Sequence, residues 1–416
     1  MWARFVKLLR CPNCQASVTL RSFSAISLAP SARHLALAEE IGVPSADLTQ
    51  YVESGVLLCD VCRIWFPIFS GLPVMLCYAT PIHEEFARAH KSQLARHVKG
   101  YEWPVGTPAK GELAVMRSFS EEWREYKYDG VLWHNCYEDL EQTFLSEISF
   151  DRDLDLHESY LEVGCGIGVT TSLAQEHLQG EAVGVDLSFA CMQAAQHYRS
   201  NPFMHFVQAS AFHLPFARRS FGYVYSRGVL HHTFSTREAF RSVAHFCREG
   251  GAQYVWVYGP GSNNDSIVRR AWYGAELVVR PVLSRWPTAL PTKVFLCLLT
   301  FPYRTANWFQ RLRNPAIQRY TYERAVHAAR DRFTPRYAHR HPADEVQRWF
   351  REAGFENVTL VDWRQMPVAQ QDTFRRNVGV RGRLCRPSPP TNEVAACLVG
   401  TAVGPRFQYS DCQHRK

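Results

Sequence analysis

Two pairs of cysteines near the start of the chain have the spacing of metal ligands: Cys11 with Cys14, and Cys59 with Cys62. A Cys-x-x-Cys turn brings two thiolates to the same ion, and zinc takes four thiolates in a tetrahedron. Two unrelated reduced pairs or a redox motif are the alternative, but strand-like apolar runs beside both pairs favour the metal. We predict a closed structural zinc site that leaves no position open for a substrate.

An acid and three glycines form a second group, in the stretch LEVGCGIG. Glu162 precedes Gly164, Gly166 and Gly168, and Asp186 follows a later apolar run. Glycines let the backbone approach a ligand closely, and an ionised carboxylate can accept two donors, such as neighbouring hydroxyls. Dinucleotide enzymes use a similar turn, but the acid before the glycines and the lack of Gly-x-Gly-x-x-Gly spacing argue against that class.

Two adjacent histidines, His231 and His232 in GVLHHT, are the candidates for acid–base chemistry. An imidazole with a pKa near 6.5 can take a proton from a hydroxyl nucleophile. The alternative is that these rings only shape a ligand pocket.

Alternating strands and helices must place these residues. Tyr160–Val163 predicts a strand, the glycine turn leads into a helix that ends near Leu178, and Ala182–Val185 predicts a second strand that ends on Asp186. A further helix is predicted at Thr236–Phe246. This alternation is typical of a doubly wound α/β sheet, in which ligands lie beyond the carboxyl ends of the strands.

Residues 155–260 resemble the class I S-adenosylmethionine-dependent methyltransferases. The resemblance rests on the glycine turn, on the LPF and SF motifs further along, and on REGGAQYVWVYGPG, which is similar to the family's Gly-Gly turn and fifth strand. It implies a seven-stranded Rossmann-like sheet and S-adenosyl-L-methionine as the cofactor, with its ribose on Asp186. The implied cofactor-binding residues are Glu162, Gly164, Gly166, Gly168, Asp186, Leu187, Ser210, Ala211 and Arg227.

Two positions depart from that family's pattern. Members usually carry an Asp where Ser210 stands, as an acceptor for the adenine amino group, and another where Gly222 stands. Ser210 can accept a hydrogen bond, but it carries no charge. The departures keep open a catalytically silent protein that uses its N-terminal segment as an interaction module.

Residues 4–78 resemble the small zinc-ribbon proteins that bind and activate methyltransferases. The shared pattern is LL-x-CP-x-C at Leu8–Cys14, a second L-x-C-x-x-C that ends at Cys62, and an aromatic-Pro-Ile and Gly-Leu-Pro close at Phe66–Pro73. The insert SARHLALAEEIG between the two cysteine pairs predicts a helix. The resemblance implies an activator fused to its methyltransferase.

Two further segments flank the core. An aromatic-rich arm precedes the first strand; similar arms fold over cofactor and substrate in small-molecule methyltransferases, and aromatic faces suit a sulfonium charge. Packing of the arm onto the sheet is the alternative. Its aromatic residues are Trp123, Tyr126, Tyr128, Trp133 and Tyr137.

A long insertion, residues 261–340, separates the fifth strand from a helix predicted at Ala343–Glu352. Its apolar-faced helices predict a cap over the carboxyl edge of the sheet. Such a cap favours an apolar acceptor or contact with a membrane surface, and a lid closed on its own core is the alternative. Val358–Asp362 is predicted as the sixth strand and 392–403 as the seventh.

The predicted fold is therefore α/β: a doubly wound seven-stranded sheet with an N-terminal zinc ribbon and a helical cap insertion. The predicted segments are a zinc ribbon at 1–80, a helical arm at 81–150, an S-adenosylmethionine-binding core at 151–260, the cap at 261–340, and the remaining core with a tail at 341–416.

Composition fits a soluble globular protein, with 46% hydrophobic and 21% charged residues. No apolar run is long enough to span a bilayer, and without a signal pattern a cytoplasmic location is the expectation. The net charge of +8 suggests anionic partners or is simply solvated surface.

We expect O-, N- or C-methylation of a small, partly apolar metabolite, such as a polyketide, a quinone, a sugar or a lipid-linked intermediate. The alternative is a ribosomal RNA base methyltransferase with a zinc-ribbon recognition domain. The fourth strand ends in SRGVLHH rather than in the NPPY-like loop of exocyclic base-amine enzymes, so nucleic acid is not the expected partner.

Overall fold

An antiparallel sheet of four strands opens the structure, a computed structural model that describes residues 1–125, 131–132, 135–149, 155–261, 267–313, 315, 317 and 319–386. Helix α1 (Ala32–Glu40) lies between the first two strands, where the sequence predicts a helix, and the Ser31 hydroxyl caps its first turn. The strands pair in chain order as β1 (Thr19–Ser27), β2 (Gln50–Cys59), β3 (Ile64–Phe69) and β4 (Leu72–Pro73). We call residues 1–80 the ribbon segment.

The arm that follows is mainly helical and contains one short antiparallel hairpin. Its elements are α2 (Pro81–Ala89), α3 (Lys91–His97), α4 (Glu112–Glu125), β5 (Val131–Leu132), β6 (Asn135–Cys136) and α5 (Tyr137–Ile148). Of the aromatic residues singled out from the sequence, Tyr126, Tyr128 and Trp133 lie outside the described residues.

Seven strands form the central sheet, and helices connect them. The strands are β7 (Tyr160–Val163), β8 (Ala182–Asp186), β9 (Met204–Gln208), β10 (Phe221–Arg227), β11 (Cys247–Val257), β12 (Phe355–Leu360) and β13 (Val378–Leu384). The helices are α6 (Val169–Leu178), α7 (Ala190–His197), α8 (Thr236–Ala244), the cap helices α9 (Ile267–Leu283), α10 (Leu290–Arg313) and α11 (Tyr322–Phe333), then α12 (Ala343–Glu352) and α13 (Val368–Arg376).

The strand order is β12-β13-β11-β10-β7-β8-β9. β13 runs antiparallel to both neighbours, and the other adjacent strands run parallel. The chain order reverses between β7 and β10, and ligands of doubly wound sheets bind at such a switch point. The seven-stranded Rossmann-like sheet implied by the sequence is confirmed.

The last two strands differ in position from the prediction. β12 begins earlier than the predicted Val358–Asp362, and the segment 392–403, predicted as the seventh strand, lies outside the described residues. The seventh strand of the sheet is β13, whose sequence VGVRGRL has glycines at inward positions. A Cβ at Gly379 would lie 2.6 Å from the Tyr254 hydroxyl, and one at Gly382 would lie 3.0 Å from the Phe350 ring. Large neighbours fill this space, so the strand lacks the usual apolar alternation.

The ribbon segment packs on the β9 edge of the central sheet. The Met75 N–H donates to the Gln208 carbonyl at 2.8 Å, and the Arg10 N–H donates to the Pro215 carbonyl at 2.8 Å. Phe5 and other buried ribbon residues share one apolar core with residues of the central sheet. Residues 1–385 form one compact unit, and the predicted boundaries at 80, 150, 260 and 340 stay predictions about its segments.

Candidate active site

A cavity of about 470 Å³ lies at the carboxyl ends of the central strands and is lined by residues of the arm, the sheet and the cap. Most of the predicted site residues meet there. Those that line the cavity are Glu162, Gly164, Gly166, Asp186, Leu187, Ser210, Ala211, Arg227 and His232. Gly168 and His231 are not among its lining residues.

The glycine turn after β7 is built from residues in the left-handed backbone region. Gly164, Gly166 and Gly168 have φ values of 89°, 53° and 83°, which side chains rarely tolerate. A Cβ at Gly164 would overlap the Val229 side chain, and one at Gly166 would lie 3.0 Å from the Trp123 ring. Val229 and Trp123 therefore pack directly against the turn, which glycine permits, and the backbone of Gly164 and Gly166 forms part of the cavity wall.

Asp186 closes β8 beside this turn. Its Oδ2 accepts the Gly166 N–H at 2.8 Å, and its Oδ1 accepts the Ser188 N–H and hydroxyl, each at 2.7 Å. Burial raises the pKa of Asp186, although these hydrogen bonds lower it. A carboxylate has about four lone-pair sites, so Oδ2 keeps room for a further donor, and a turn of the Ser188 hydroxyl would free a second position.

Glu162 is 4% exposed at the same edge. Its Oε2 accepts the Thr171 hydroxyl at 2.5 Å, and burial raises its pKa to about 8. A protonated Glu162 can itself donate a hydrogen bond into the cavity, whereas the ionised form only accepts. A cationic ligand group beside it would favour the ionised form.

The structure shows what surrounds Ser210 and Gly222, the two positions that depart from the methyltransferase pattern. The Ser210 hydroxyl accepts the Phe212 N–H at 3.2 Å, which shapes the loop after β9. A side chain at position 222 would overlap Glu158, whose carboxylate pairs with Arg248. Glu158 thus fills the space that an Asp at 222 would need.

His232 has the geometry of a base that faces the cavity. Its Nδ1 lies 2.7 Å from the Tyr337 carbonyl oxygen. Because a carbonyl only accepts, Nδ1 carries the proton and Nε2 of the neutral ring has a free lone pair. Nε2 has no hydrogen-bond partner among the described residues and lies 4.0 Å from Oδ1 of Asp331. Burial lowers the pKa of His232, although Asp331 opposes this shift, so the ring is neutral at pH 7.

His231 occupies a different environment from its neighbour. Its ring stacks on Tyr258 with 4.0 Å between ring centroids and is fully buried. Neither ring nitrogen has a hydrogen-bond partner in the described part of the chain, and burial lowers its pKa. Since it does not line the cavity, His231 supports the packing of Tyr258 rather than contacting a ligand.

Glu122 of α4 is a cavity residue that the sequence analysis missed. It is 1% exposed, and neither carboxylate oxygen accepts a hydrogen bond within the described residues. Nε2 of His327 lies 3.3 Å from Oε1. Burial, with the negative charge of Asp331, raises its pKa. The missed signal is its position seven residues after Val115, on the apolar face of an amphipathic helix.

Arg227 lines the cavity, but the carboxylate of Glu147 already neutralises its charge. Its Nε lies 3.5 Å from Oε1 of Glu147. The same carboxylate accepts hydrogen bonds from the hydroxyl groups of Tyr225, at Oε2, and Tyr254, at Oε1. Its guanidinium also donates to Gln370 at 3.3 Å. Arg227 therefore joins β10 to α5 and α13, and it contributes less free charge to a ligand than the sequence suggests.

A buried carboxylate holds the cap against the core. Glu276 of α9 is 1% exposed and accepts hydrogen bonds from Arg280, Arg332 at 2.7 Å and Arg340 at 3.1 Å. Burial opposes its ionisation, but the three arginines together lower its pKa. Arg340 also donates to the Gly259 carbonyl at 3.3 Å, just beyond β11, so this cluster ties the cap to the sheet.

The four predicted metal ligands come together in the ribbon segment. The sulfur atoms of Cys11, Cys14, Cys59 and Cys62 all lie within 4.8 Å of one another. The Cys14–Cys59 distance is 3.5 Å and the Cys11–Cys62 distance is 3.9 Å. Four thiolates at about 2.3 Å from one zinc ion would be separated by about 3.8 Å. The cluster has the dimensions of a tetrahedral zinc site.

Comparison with known proteins supports the assignment of the core. Residues 161–255 match the family described as methyltransferase domain. No curated protein matches the chain. Within the described residues, no helix is long and apolar enough to cross a membrane.

The solved structures that match the chain have low sequence identity to it. One is the YcgJ protein from Bacillus subtilis, at 16% identity and a TM-score of 0.34, over 60% of this chain and 99% of that one. Another is Haemonchus contortus phosphoethanolamine N-methyltransferase 2, at 11% identity and a TM-score of 0.40; this match covers 89% of this chain and 69% of that one. A third comes from a complex between the Haloferax volcanii Trm112 methyltransferase activator and the putative methyltransferase. It has 13% sequence identity and a TM-score of 0.38, and the match covers 65% of this chain and 98% of that one. Likenesses of this size carry no argument about the substrate.

Proposed function

We propose that this chain, a class I S-adenosylmethionine-dependent methyltransferase, methylates a small, partly apolar metabolite. The observation that carries the proposal is that the arm and the cap both contribute side chains to the cavity at the switch point of the sheet. A volume of about 470 Å³ lies in the usual range for small-molecule sites.

The residues around the glycine turn fit S-adenosylmethionine. The backbone of Gly164 and Gly166 forms part of the cavity wall, and Asp186 offers a carboxylate oxygen to ribose hydroxyls. Ser210 and Ala211 lie on the same cavity wall, where the adenine would bind. When bound, this cofactor supplies an activated methyl group on a sulfonium ion.

His232 is the proposed general base. Its free Nε2 would take the proton of an acceptor hydroxyl or amine, so that the acceptor atom has a lone pair available for the methyl group that the cofactor would supply. The proton then rests on the imidazole, where the carboxylate of Asp331, 4.0 Å away, stabilises the charge. Tyr337 holds the ring by its Nδ1–H and fixes the direction of Nε2.

Glu122 is proposed to orient the bound ligands. Its carboxyl group is buried and lines the cavity; Oε1 lies 3.3 Å from Nε2 of His327, and Oε2 has no hydrogen-bond donor among the described residues. Leaving such a group unpaired costs about 1–3 kcal/mol, so a ligand that donates to it would gain that amount. An amine or hydroxyl on either ligand suits this position.

The cysteine cluster is proposed to hold one structural zinc ion. All four thiolates are used, so the ion has no open position and supplies stability rather than reactivity. We further propose, following the resemblance of residues 4–78, that the ribbon segment is an activator fused to its methyltransferase.

Transfer of a labelled methyl group tests the substrate class. The protein is incubated with S-adenosyl-[methyl-³H]methionine and a cell extract split into small molecules, lipids and RNA. We expect label in the small-molecule or lipid fraction. Label confined to nuclease-sensitive RNA would overturn the proposal, and the absence of label in every fraction would favour a silent protein.

A pair of histidine variants tests the base. His232→Gln should lower turnover at least tenfold, since general-base catalysis typically contributes 10²–10⁴-fold, while S-adenosylmethionine affinity stays within about twofold. His231→Gln is the matched control, because its ring is buried next door but does not line the cavity. Equal turnover in the two variants would contradict the assignment.

A further inference from the structure

The outer face of the cap is apolar to an extent found nowhere else in the described structure. Of the 22 large apolar side chains that are exposed, twelve lie between positions 267 and 312. On α9 they include Leu277, Val278 and Val282, and on α10 they include Leu298, Phe301 and Trp308, each between 55% and 78% exposed. Soluble monomers usually expose large apolar side chains singly, so their concentration in one segment indicates an interaction surface.

The two helices expose apolar side chains that a surface helix normally buries, since such a helix turns its apolar stripe inward. Trp272 and Phe295 do face the protein. Most of the other large apolar side chains described in these helices are exposed, and this outer apolar face suits a non-aqueous partner. The fully buried side chains among those described are mainly polar: Glu276, Arg280, Thr292, Leu296, Thr300 and Asn307.

Both exposed faces point away from the same inner helix. Trp272 of α9 and Phe295 of α10 each pack on Phe333 of α11, with ring centroids 5.6 and 5.7 Å apart. α10 alone, with 24 residues, is about 36 Å long. The described helices include none that could cross a bilayer, so contact must lie along the helices.

Charge identifies the partner. Residues 267–313 contain eight Lys and Arg residues and a single acid, Glu276, which is a net +7 in a chain whose total is +8. Glu276 and Arg280 are both buried and pair with each other, so the charges that remain on these helices are all basic. A second copy of the chain would bring like charges together, whereas anionic lipid head groups complement them. Trp286 and Trp308, 60% and 55% exposed, are of the type that favours the membrane interface.

We propose that α9 and α10 dock the protein on the surface of an anionic lipid bilayer, with their apolar side chains inserted at the head-group boundary and their arginines against lipid phosphates. Apolar insertion combined with a basic helix surface is the physical basis of interfacial binding. This surface is distinct from the cavity and does not depend on the identity of the methyl acceptor.

Flotation of the full chain with lipid vesicles tests the proposal. Vesicles of phosphatidylcholine with about one-third phosphatidylglycerol should bind the protein at least tenfold more strongly than vesicles of phosphatidylcholine alone, and salt should weaken that binding. The double variant Leu298→Glu/Phe301→Glu should lose binding to both. Leu360→Glu, a 49% exposed position on β12, is the matched control and should bind as the wild type does.

Charge variants separate the two components of binding. Arg285→Gln combined with Arg313→Gln should reduce binding to anionic vesicles and leave binding to neutral vesicles unchanged. Retained S-adenosylmethionine affinity shows that each variant is folded, since none of these side chains lines the cavity. Two results would overturn the proposal. Wild-type protein that binds neither kind of vesicle would favour a protein partner. A dimer that the Leu298→Glu/Phe301→Glu variant dissociates would favour a second copy.

Discussion

The ribbon segment and the cap both flank the central sheet, but they direct their apolar residues oppositely. The ribbon buries Phe5, Leu9 and Phe66 in a core that it shares with the sheet. The cap buries Leu296 and Phe333 but turns Leu298 and Phe301 to the outside. Burying one large apolar side chain contributes about 1.5–3 kcal/mol, and the exposed side chains of the cap forgo that gain.

The difference indicates different roles for segments that look alike as additions to a common core. A module that exists to stabilise its partner places its apolar surface against it. A module that meets a further partner keeps that surface free and is held in place by other means, here the Glu276 cluster. The predictions below separate these modes of attachment.

The largest effect is expected from the ribbon's cysteines. Cys59→Ser should release the zinc and destabilise residues 1–385 as a whole, because a structural zinc contributes on the order of 10 kcal/mol to the fold that binds it. Metal analysis should fall from about one zinc per chain to none, and the thermal transition should move down. Cys77→Ser, a buried cysteine outside the cluster, should keep its zinc. Full zinc occupancy in Cys59→Ser would refute the site.

A smaller effect, confined to the cap, is expected at Glu276. Glu276→Gln leaves Arg280, Arg332 and Arg340 without their common carboxylate, and breaking a buried ion pair typically costs about 3–5 kcal/mol. Limited proteolysis should then cut residues 267–313 faster, while the ribbon stays resistant. Glu323→Gln, an exposed acid on α11, is the control. Unchanged proteolysis would mean that the cluster does not anchor the cap.

Acid should weaken the packing of α2 against the ribbon segment through His83, whose ring contacts Trp65. Burial lowers its pKa to about 4, so the unfolded chain, with a pKa near 6.5, binds the extra proton first. Stability is therefore full above pH 6.5 and is lost as the pH falls towards 4, by about 3 kcal/mol in total. Denaturant unfolding at pH 7 and pH 4.5 should show a smaller difference for His83→Gln than for the wild type. An equal pH dependence would exclude this histidine as the cause.

The comparison also explains what the sequence could predict. The sequence marks the cysteine pairs, the glycine turn and Asp186 because the spacing of residues close together in the chain determines the geometry of each. The structure brings the members of each set together. The amphipathic cap helices were also found, but periodicity does not say whether an apolar stripe faces the protein or its surroundings.

The features that the sequence did not predict depend on packing between residues far apart in the chain. Glu122 reaches the cavity only because α4 lies over it, and β13 carries glycines where Tyr254 and Phe350 fill the space. Neither neighbour is close in the sequence, so no local pattern marks these positions.

The most direct test of the account is calorimetric titration with S-adenosylmethionine, since the central claim is that the glycine turn and Asp186 hold this cofactor. The wild type should bind one equivalent. Asp186→Asn should bind about 10- to 100-fold more weakly, because hydrogen bonds to a charged group are worth about 1.5–3 kcal/mol. Asp344→Asn, an exposed acid on α12, should bind as the wild type does. Equal affinity in wild type and Asp186→Asn, or no binding by the wild type, would contradict the account.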